Sequence, residues 1–503
     1  MQQQFFQTCR IFRLVPTIIH RSFTQSTLVV LLGALFGCSG PPTVFAPPQP
    51  KPQQNIALSI SCSDGAFAIE LAAWTKAWAN RNGARISIVE SNEADIRILK
   101  AHEWTALAQA DKLLPLPAAF STETGTYQWA SLVPVYQTTL SRWGLQTYAV
   151  PLVGEGYAFV VRNDLLGEAK FAEAFRAKFG REAGNIRTWE DLAEVAEQYT
   201  AHTRQTALAP VPSDAHKAFI EFSQLAACYD RAPTGGGKIE DGGTDLYRRG
   251  LSFYIDNELG TTRFDAPAFR EAFNWYASTT SSRAKTGEPI DCLVNGTAVA
   301  AVLPLSDLVQ LPKDGQGYIE SRFALAPLPG TRKFFDAKGQ AVSVATPNYI
   351  PYLGGAGLMG VVSATTANAD TCWQLLAELG GPGSSEGFLN EPTLGAGPMR
   401  KTHLLQDVKA WRKYRFDDVR TATLASGLQQ YQAVGTLNPA LALRTPDEPD
   451  VARIIVDQLR QTATGKATAG EAHQAALKQW SELDWKTAAE ILKLWRKRAA
   501  GMN

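Results

Sequence analysis

The sequence predicts an α/β protein of two globular units, each a mainly parallel sheet flanked by helices. Three observations lead there. The chain has 503 residues, too many for one compact core. From Asn55 onward, alternating apolar stretches take turns with amphipathic helical ones, the pattern of strands joined by helical crossovers. "YAVPLVGEGYAFVVRNDLLGEA" (Tyr148–Ala169) reads as a strand, a Gly-Glu-Gly break, a second strand and an Asn-Asp step into a helix.

The elements follow in order. "NIALSISCS" (Asn55–Ser63) alternates like a strand, and "AIELAAWTKAWANRNG" is an amphipathic helix that Gly83 ends. "ARISIVE" and "DIRILK" (Asp95–Lys100) are strands, followed by helix-like "WTALAQADKLL". "TWEDLAEVAEQYT" opens with Thr188 as N-cap and Asp191 three positions on, a shortened capping box. "RFDAPAFREAFNWYAS" and "ADTCWQLLAELG" are amphipathic helices, "GTAVAAVL" and "FALAPLPG" strands, and the tail from Asp450 is strongly helical. "PTGGGKIEDGGTD" (Pro233–Asp245) reads as a surface loop.

The first residues are organised differently. Arg10, Arg13 and Arg21 precede the apolar run Leu28–Phe36, then Gly37 and Cys38, the layout of a secretory signal over 1–37. The run is too short for a stable bilayer span. "LFGC" resembles a bacterial lipobox, which makes Cys38 the expected lipidated N-terminus, and the Pro-rich 38–54 a tether. Export allows one or two disulfides among Cys62, Cys228, Cys292 and Cys372, and buried free thiols fit equally well. The formal net charge of +1 gives no electrostatic case for nucleic acid.

Enzyme signatures fail on context. Gly383-Ser384-Ser385-Glu386-Gly387 has the G-x-S-x-G form, but a helix rather than a strand precedes it, so it reads as a helix-to-helix loop. Gly235–Lys238 lacks the upstream glycine of a phosphate loop and has Ile239 where a hydroxyl belongs. His102, His202, His216, His403 and His473 have no local metal-site spacing, so no metal or cofactor is expected. One cluster survives: Ser63-Asp64, His102-Glu103-Trp104 and Gly154-Glu155 each follow a predicted strand. Ligands of open α/β sheets bind outside the carboxyl ends of strands. Carboxylates there accept hydrogen bonds from vicinal hydroxyls, and Trp104 offers an apolar face.

With those residues in view, the order of motifs resembles the extracellular solute-binding proteins of ABC importers, the maltose-binding-protein-like family. "YAVPLVGEGYAFVVRNDLL", "TWEDL", "GTAVAAVLP", "APLPG", "YLGGAGLMGVVSAT" and "GKATAGEAHQAALKQW" fall in family order. The resemblance implies a two-lobed periplasmic-binding-protein fold of type II. Its lobe 1 would span 55–153 plus about 353–400, and lobe 2 would span 154–352 plus about 401–503. A cleft between them would hold the solute, with 150–156 as the first crossing and Glu155 hydrated at the cleft floor beside a glycine-eased hinge. "AHE" (Ala101–Glu103) is similar to the family's Ala-His-Asp step. The implied ligand set is Ser63, Asp64, His102, Glu103, Trp104, Gly154, Glu155, Tyr157, Ser306, Gly354 and Gly355. The chain departs from the pattern at "VLPLSD" (Val302–Asp307) and "NPALALRTPDEPD" (Asn438–Asp450), where the family has aromatics. Tyr157, Tyr254 or Tyr352 substitute only if they point inward. The implied function is capture of a carbohydrate or other polyhydroxylated solute by a lipid-anchored monomer, delivered to permease subunits with an ATPase. A sensory lipoprotein, and more remotely a glycan hydrolase using Glu103 and Glu155, are the alternatives.

Overall fold

The computed structural model describes residues 56–121, 125–230, 253–256, 259–336, 338–350, 357–405, 408–434, 443–484, 487, 489–499 and 501. The expected signal, Cys38, the tether, the Pro233–Asp245 loop, Tyr352, Gly354 and Gly355 lie outside them. Within the described residues no helix is long and apolar enough to cross a membrane.

The strands that matter are β1 (Ala57–Cys62), β2 (Arg85–Ile88), β3 (Ile96–Lys100), β4 (Val150–Val153), β5 (Tyr157–Arg162), β6 (Ala300–Pro304), β7 (Phe323–Ala326), β8 (Thr331–Phe335), β9 (Ala341–Asn348) and β10 (Leu358–Val362). The first sheet has the order β2-β1-β3-β10-β4. β1 runs parallel to β2 and β3, while β10 runs antiparallel to both β3 and β4. β4 therefore points the same way as β1 and β3, so the loops after all three leave from one edge.

The second sheet, β6-β5-β7, is antiparallel in both pairings, which corrects the expected mainly parallel sheet in this half. All six residues of β5 are buried. A continuous apolar run of this kind reports that both faces are covered. It carries no information about the direction of the neighbouring strands. β8 and β9 form a separate hairpin.

Local signals set the helices. α1 (Gly65–Asn82) starts where the Asp64 side chain accepts the Phe67 amide at 2.9 Å, and stops at Gly83 with φ 65°. α2 (Trp189–Thr203) carries the full Thr188–Asp191 capping box. Asp191 is also bonded by Arg332 at 2.5 Å, and these hydrogen bonds hold its carboxyl below the usual range against its burial. α3 (Ala215–Asp230), α4 (Pro267–Ser278), α5 (Ala369–Leu379), α6 (Pro382–Asn390), α7 (Asp418–Val434), α8 (Glu448–Ala463), α9 (Ala469–Asp484) and α10 (Ala489–Ala499) complete the frame.

The buried apolar residues fall into two large clusters. One surrounds the first sheet and takes in Leu303, Leu305, Leu404, Trp411 and Leu428. The other joins α2, α3, α4, α8 and α9 to β5. The C-terminal tail is divided between them: Val451 to Trp480 belong to the second cluster, whereas Ala499 of α10 belongs to the first.

His403 is 2% exposed and its Nδ1 accepts the Met399 amide at 3.4 Å. Burial, with Arg400 and Lys413 nearby, pushes its pKa down to about 3. Between the unfolded value of about 6.5 and that folded value, only the unfolded chain binds the proton. The stabilisation is therefore complete above about pH 6.5 and is lost as pH falls towards 3, by up to ~1.4 kcal/mol per pH unit. Urea midpoints of His403→Asn are expected to vary less between pH 6 and 4 than those of wild type. An identical pH profile would remove His403 from the acid response.

Candidate functional site

Of the three loops expected at a common sheet edge, those after β1 and β3 meet. Ser63 Oγ donates to Glu103 Oε2 at 2.8 Å, and the Lys100 amide donates to the same oxygen at 2.8 Å. Glu103 is half-buried and braces the β3 loop. Asp64 is the N-cap of α1, so one of its oxygens is committed to helix start.

Two expectations about this edge are corrected. Trp104 is fully buried, packed under the Arg444 guanidinium at 5.4 Å and near Tyr148; its aromatic face serves the core. Glu155 is 2% exposed, so its carboxylate is not hydrated in an open cleft, and its amide donates to the Tyr136 hydroxyl at 3.2 Å.

The glycines around Glu155 have a steric explanation. Neither has a positive φ. A Cβ on Gly154 would lie 2.5 Å from Gly397 O and 2.9 Å from Met399 N, and one on Gly156 2.6 Å from Leu305 Cδ1. The crossing between the sheets is thus clamped by backbone 397–399, and the Gly397 amide donates to Gly154 O at 3.0 Å. Close approach, rather than hinge freedom, is what excludes side chains here.

Tyr157 opens β5 and pairs with Pro304 at the end of β6. This end of the second sheet adjoins the crossing, and a cavity of about 410 Å³ lies there, within the ~300–1,000 Å³ typical of small-molecule sites. Tyr157, Ile290, Val302 and Leu303 supply apolar wall. Asp214, Glu221, Glu288, Asp291 and Asp307 supply carboxylates, against the single ammonium of Lys217. Lys217 Nζ stands 3.3 Å from Asp307 Oδ2. Glu221 accepts the Tyr276 hydroxyl at 2.7 Å, and burial raises its pKa. Gln224 is 4% exposed, and its Nε2 donates to no group among the described residues. Ser306 does not line the cavity; its hydroxyl reaches Asp307 Oδ1 at 3.4 Å. Tyr254 is buried against Phe219 and bonded to Ser223 Oγ at 2.5 Å, so it is no inward-facing substitute for a stacking aromatic.

The α3 residues of this wall were not singled out by the sequence reading. The available signal was the run "PSDAHKAFIEFSQ" (Pro212–Gln224), in which Asp214, Lys217, Glu221 and Gln224 recur at helical spacing.

Other motifs resolve structurally. Gly383–Gly387 lies inside α6 rather than in a loop, and Ser385 Oγ accepts Arg400 Nε at 3.1 Å while donating to Pro382 O. Cys62, Cys228, Cys292 and Cys372 are all free thiols, and burial pushes Cys62 and Cys372 up to about 11 and Cys228 to about 12. Such thiols are poor nucleophiles.

The family described as bacterial extracellular solute-binding protein matches residues 87–415. No curated protein matches in sequence. The fold is shared with solved structures at low identity. UgpB from Mycobacterium tuberculosis in complex with glycerophosphocholine has 15% identity and a TM-score of 0.60, with 86% of this chain and 99% of that one covered. MalE from Xanthomonas citri, a sugar-binding protein, has 15% identity and a TM-score of 0.58, with 87% and 97% covered. An ABC transporter solute-binding protein from Agrobacterium vitis S4 with bound D-mannitol has 13% identity and a TM-score of 0.56, with 86% and 99% covered. The family match spans well over half of the sequence: the chain belongs to the bacterial extracellular solute-binding proteins.

Proposed function

We propose that the protein is the binding component of an ABC importer. In this reading it captures a neutral, hydroxyl-rich solute, a carbohydrate or polyol, in the cavity beside the interlobe crossing. The observation that carries the reading is the cavity wall, where carboxylates outnumber the one ammonium and Gln224 presents an unengaged amide donor. Carboxylates accept charge-assisted hydrogen bonds from hydroxyls, and the amide serves a hydroxyl or ring oxygen. The acid excess disfavours sugar phosphates and uronates. The D-mannitol and maltose bound in two fold relatives agree in chemical class.

On this reading the protein has no chemistry of its own; solute stabilises the closed lobes, and that shape is offered to permease subunits with an ATPase. Export, anchoring through a lipid on Cys38 and a monomeric state complete the proposal. The lobes are proposed as 55–153 with about 353–400 and 154–352 with about 401–503, although Leu303, Leu305, Leu404, Trp411, Leu428 and α10 pack with the first cluster. Among the marked residues Ser63, Glu103 and Tyr157 stay candidates for solute contact.

A thermal-shift panel of neutral sugars, polyols, amino acids and sugar phosphates tests the solute class. A native-state ligand at a hundredfold excess over its dissociation constant adds about 2.7 kcal/mol. Stabilisation by anionic sugars alone would refute the proposed chemistry. Gln224→Leu then locates the site. It removes an amide with no partner, so ligand-free melting should hold or rise. Affinity for the solute found should fall about 5- to 20-fold, or ~1–2 kcal/mol. Unchanged affinity by calorimetry would move the site elsewhere.

A further inference from the structure

His102, His216 and Glu448 are 114 and 232 positions apart along the chain, yet one ligand atom from each lies within 4.8 Å of the others. We propose that these three residues form a site for a borderline divalent cation of the Zn²⁺ class, held between the two lobes. His102 stands on the loop after β3 of the first sheet. His216 lies in the first turn of α3, and Glu448 is the first residue of α8. Both of these helices pack into the second cluster. The two imidazole rings face one another with centroids 4.2 Å apart.

Glu448 supplies the independent observation. It is 1% exposed, and its Oε1 accepts no hydrogen bond among the described residues. The other oxygen, Oε2, accepts the Arg444 amide. The Arg444 guanidinium does not pair with it: it donates to Thr139 O, Arg142 O and Ala499 O at 2.7, 2.7 and 2.8 Å. A buried carboxylate oxygen without a partner is costly, and a ligand oxygen of this same carboxylate lies within 4.8 Å of an imidazole nitrogen of each histidine.

The donor set selects the ion. Two imidazoles and one carboxylate suit Zn²⁺ or a neighbouring transition ion, with metal–ligand distances of about 2.0–2.2 Å and a fourth position open. Calcium and magnesium call for more oxygens. Tetrahedral bonds of that length set donors roughly 3.3–3.5 Å apart, so side-chain rotation of the two half-buried imidazoles completes the site. Because the donors come from both halves, a bound ion would favour the closed arrangement. None of the three residues lines the solute cavity.

The test is made without solute, on the purified protein stripped with a chelator. Titration calorimetry with Zn²⁺ should show one equivalent bound, and Mg²⁺ should not compete. His102→Ala and His216→Ala should each weaken Zn²⁺ binding about 10- to 100-fold or more, while His202→Ala, an exposed control, should change nothing. Co²⁺ loading of the wild type needs no variant, and should give the visible absorption of a four-coordinate site. Absence of a one-to-one Zn²⁺ isotherm, or equal affinity in His216→Ala, overturns the proposal. Solute binding measured in chelator is a separate readout, so its failure would count against the solute assignment and not against the cation site.

Discussion

Gly397→Ala is expected to destabilise the protein by more than about 3 kcal/mol, at the severe end for a single added methyl. The added Cβ would lie 1.8 Å from Glu155 O, 2.1 Å from Glu155 C and 2.7 Å from Gly156 N. These are backbone atoms of the crossing between the sheets, and no rotamer change relieves them. The neighbouring chain is equally fixed. Gly397 N is bonded to Gly154 O, and Met399 O accepts the Val133 amide at 2.9 Å. The crossing or the 397–399 segment must therefore move as a whole. Urea unfolding of the variant checks the stability, and solute affinity should fall with it because Tyr157, the first cavity residue after the crossing, moves too. A melting temperature within about 2 °C of wild type would show that the clamp yields easily.

That clamp also shows what can and cannot be read from sequence. The Gly-Glu-Gly break was legible as a boundary between strands, because periodicity is a local property. Its reason was not, since the atoms that exclude a side chain at Gly154 belong to residues 397–399. The same division holds elsewhere. The capping of α1 by Asp64 and of α2 by Thr188 follows from residues three positions apart; α2 begins where the sequence places it, whereas α1 starts at Gly65, ahead of the expected Ala68. The antiparallel second sheet depends on which ends of β5, β6 and β7 the long returns bring together, and no alternation pattern encodes that.

The site divides in the same way. Ser63 and Glu103 were brought together in expectation because both follow strands, and they are hydrogen-bonded. Trp104 carries the same sequence signal, yet it sits at the start of the short helical turn Thr105–Gln109 and is folded under Arg444, a residue 340 positions away. The grouping of His102, His216 and Glu448 has no local spacing at all. The packing of α3 against α8 brings His216 to Glu448, and the loop after β3 adds His102.

Arg400→Met is expected to cost about 3–5 kcal/mol, because several buried neutral acceptors lose their donor at once. Arg400 is fully buried, and its guanidinium donates to Tyr127 O at 2.9 Å, Gln128 O at 3.2 Å and Ser385 Oγ at 3.1 Å, and also to Gly380 O and Ser131 Oγ. It also stacks on the Tyr127 ring at 4.9 Å. Desolvation lowers its pKa, but a guanidinium stays charged. Methionine fills the volume and leaves buried carbonyls at Tyr127 and Gly380 without donors, at about 1–3 kcal/mol each. Lysine keeps the charge but has no planar fork to reach five acceptors, so Arg400→Lys should also destabilise. Arg412→Ala is the control: its pair with Asp418 is exposed on both sides, and such pairs contribute ~0–1 kcal/mol. Urea unfolding of the three variants ranks them, and an Arg400→Met as stable as the control would show that the network is dispensable. Arg400 follows directly on the 397–399 backbone that clamps the crossing, so losing its anchors loosens the segment that Gly397→Ala would push against. The two substitutions share one structural element, and their combined effect should fall short of the sum. Additive losses in the double variant would mean that the anchor and the clamp are independent.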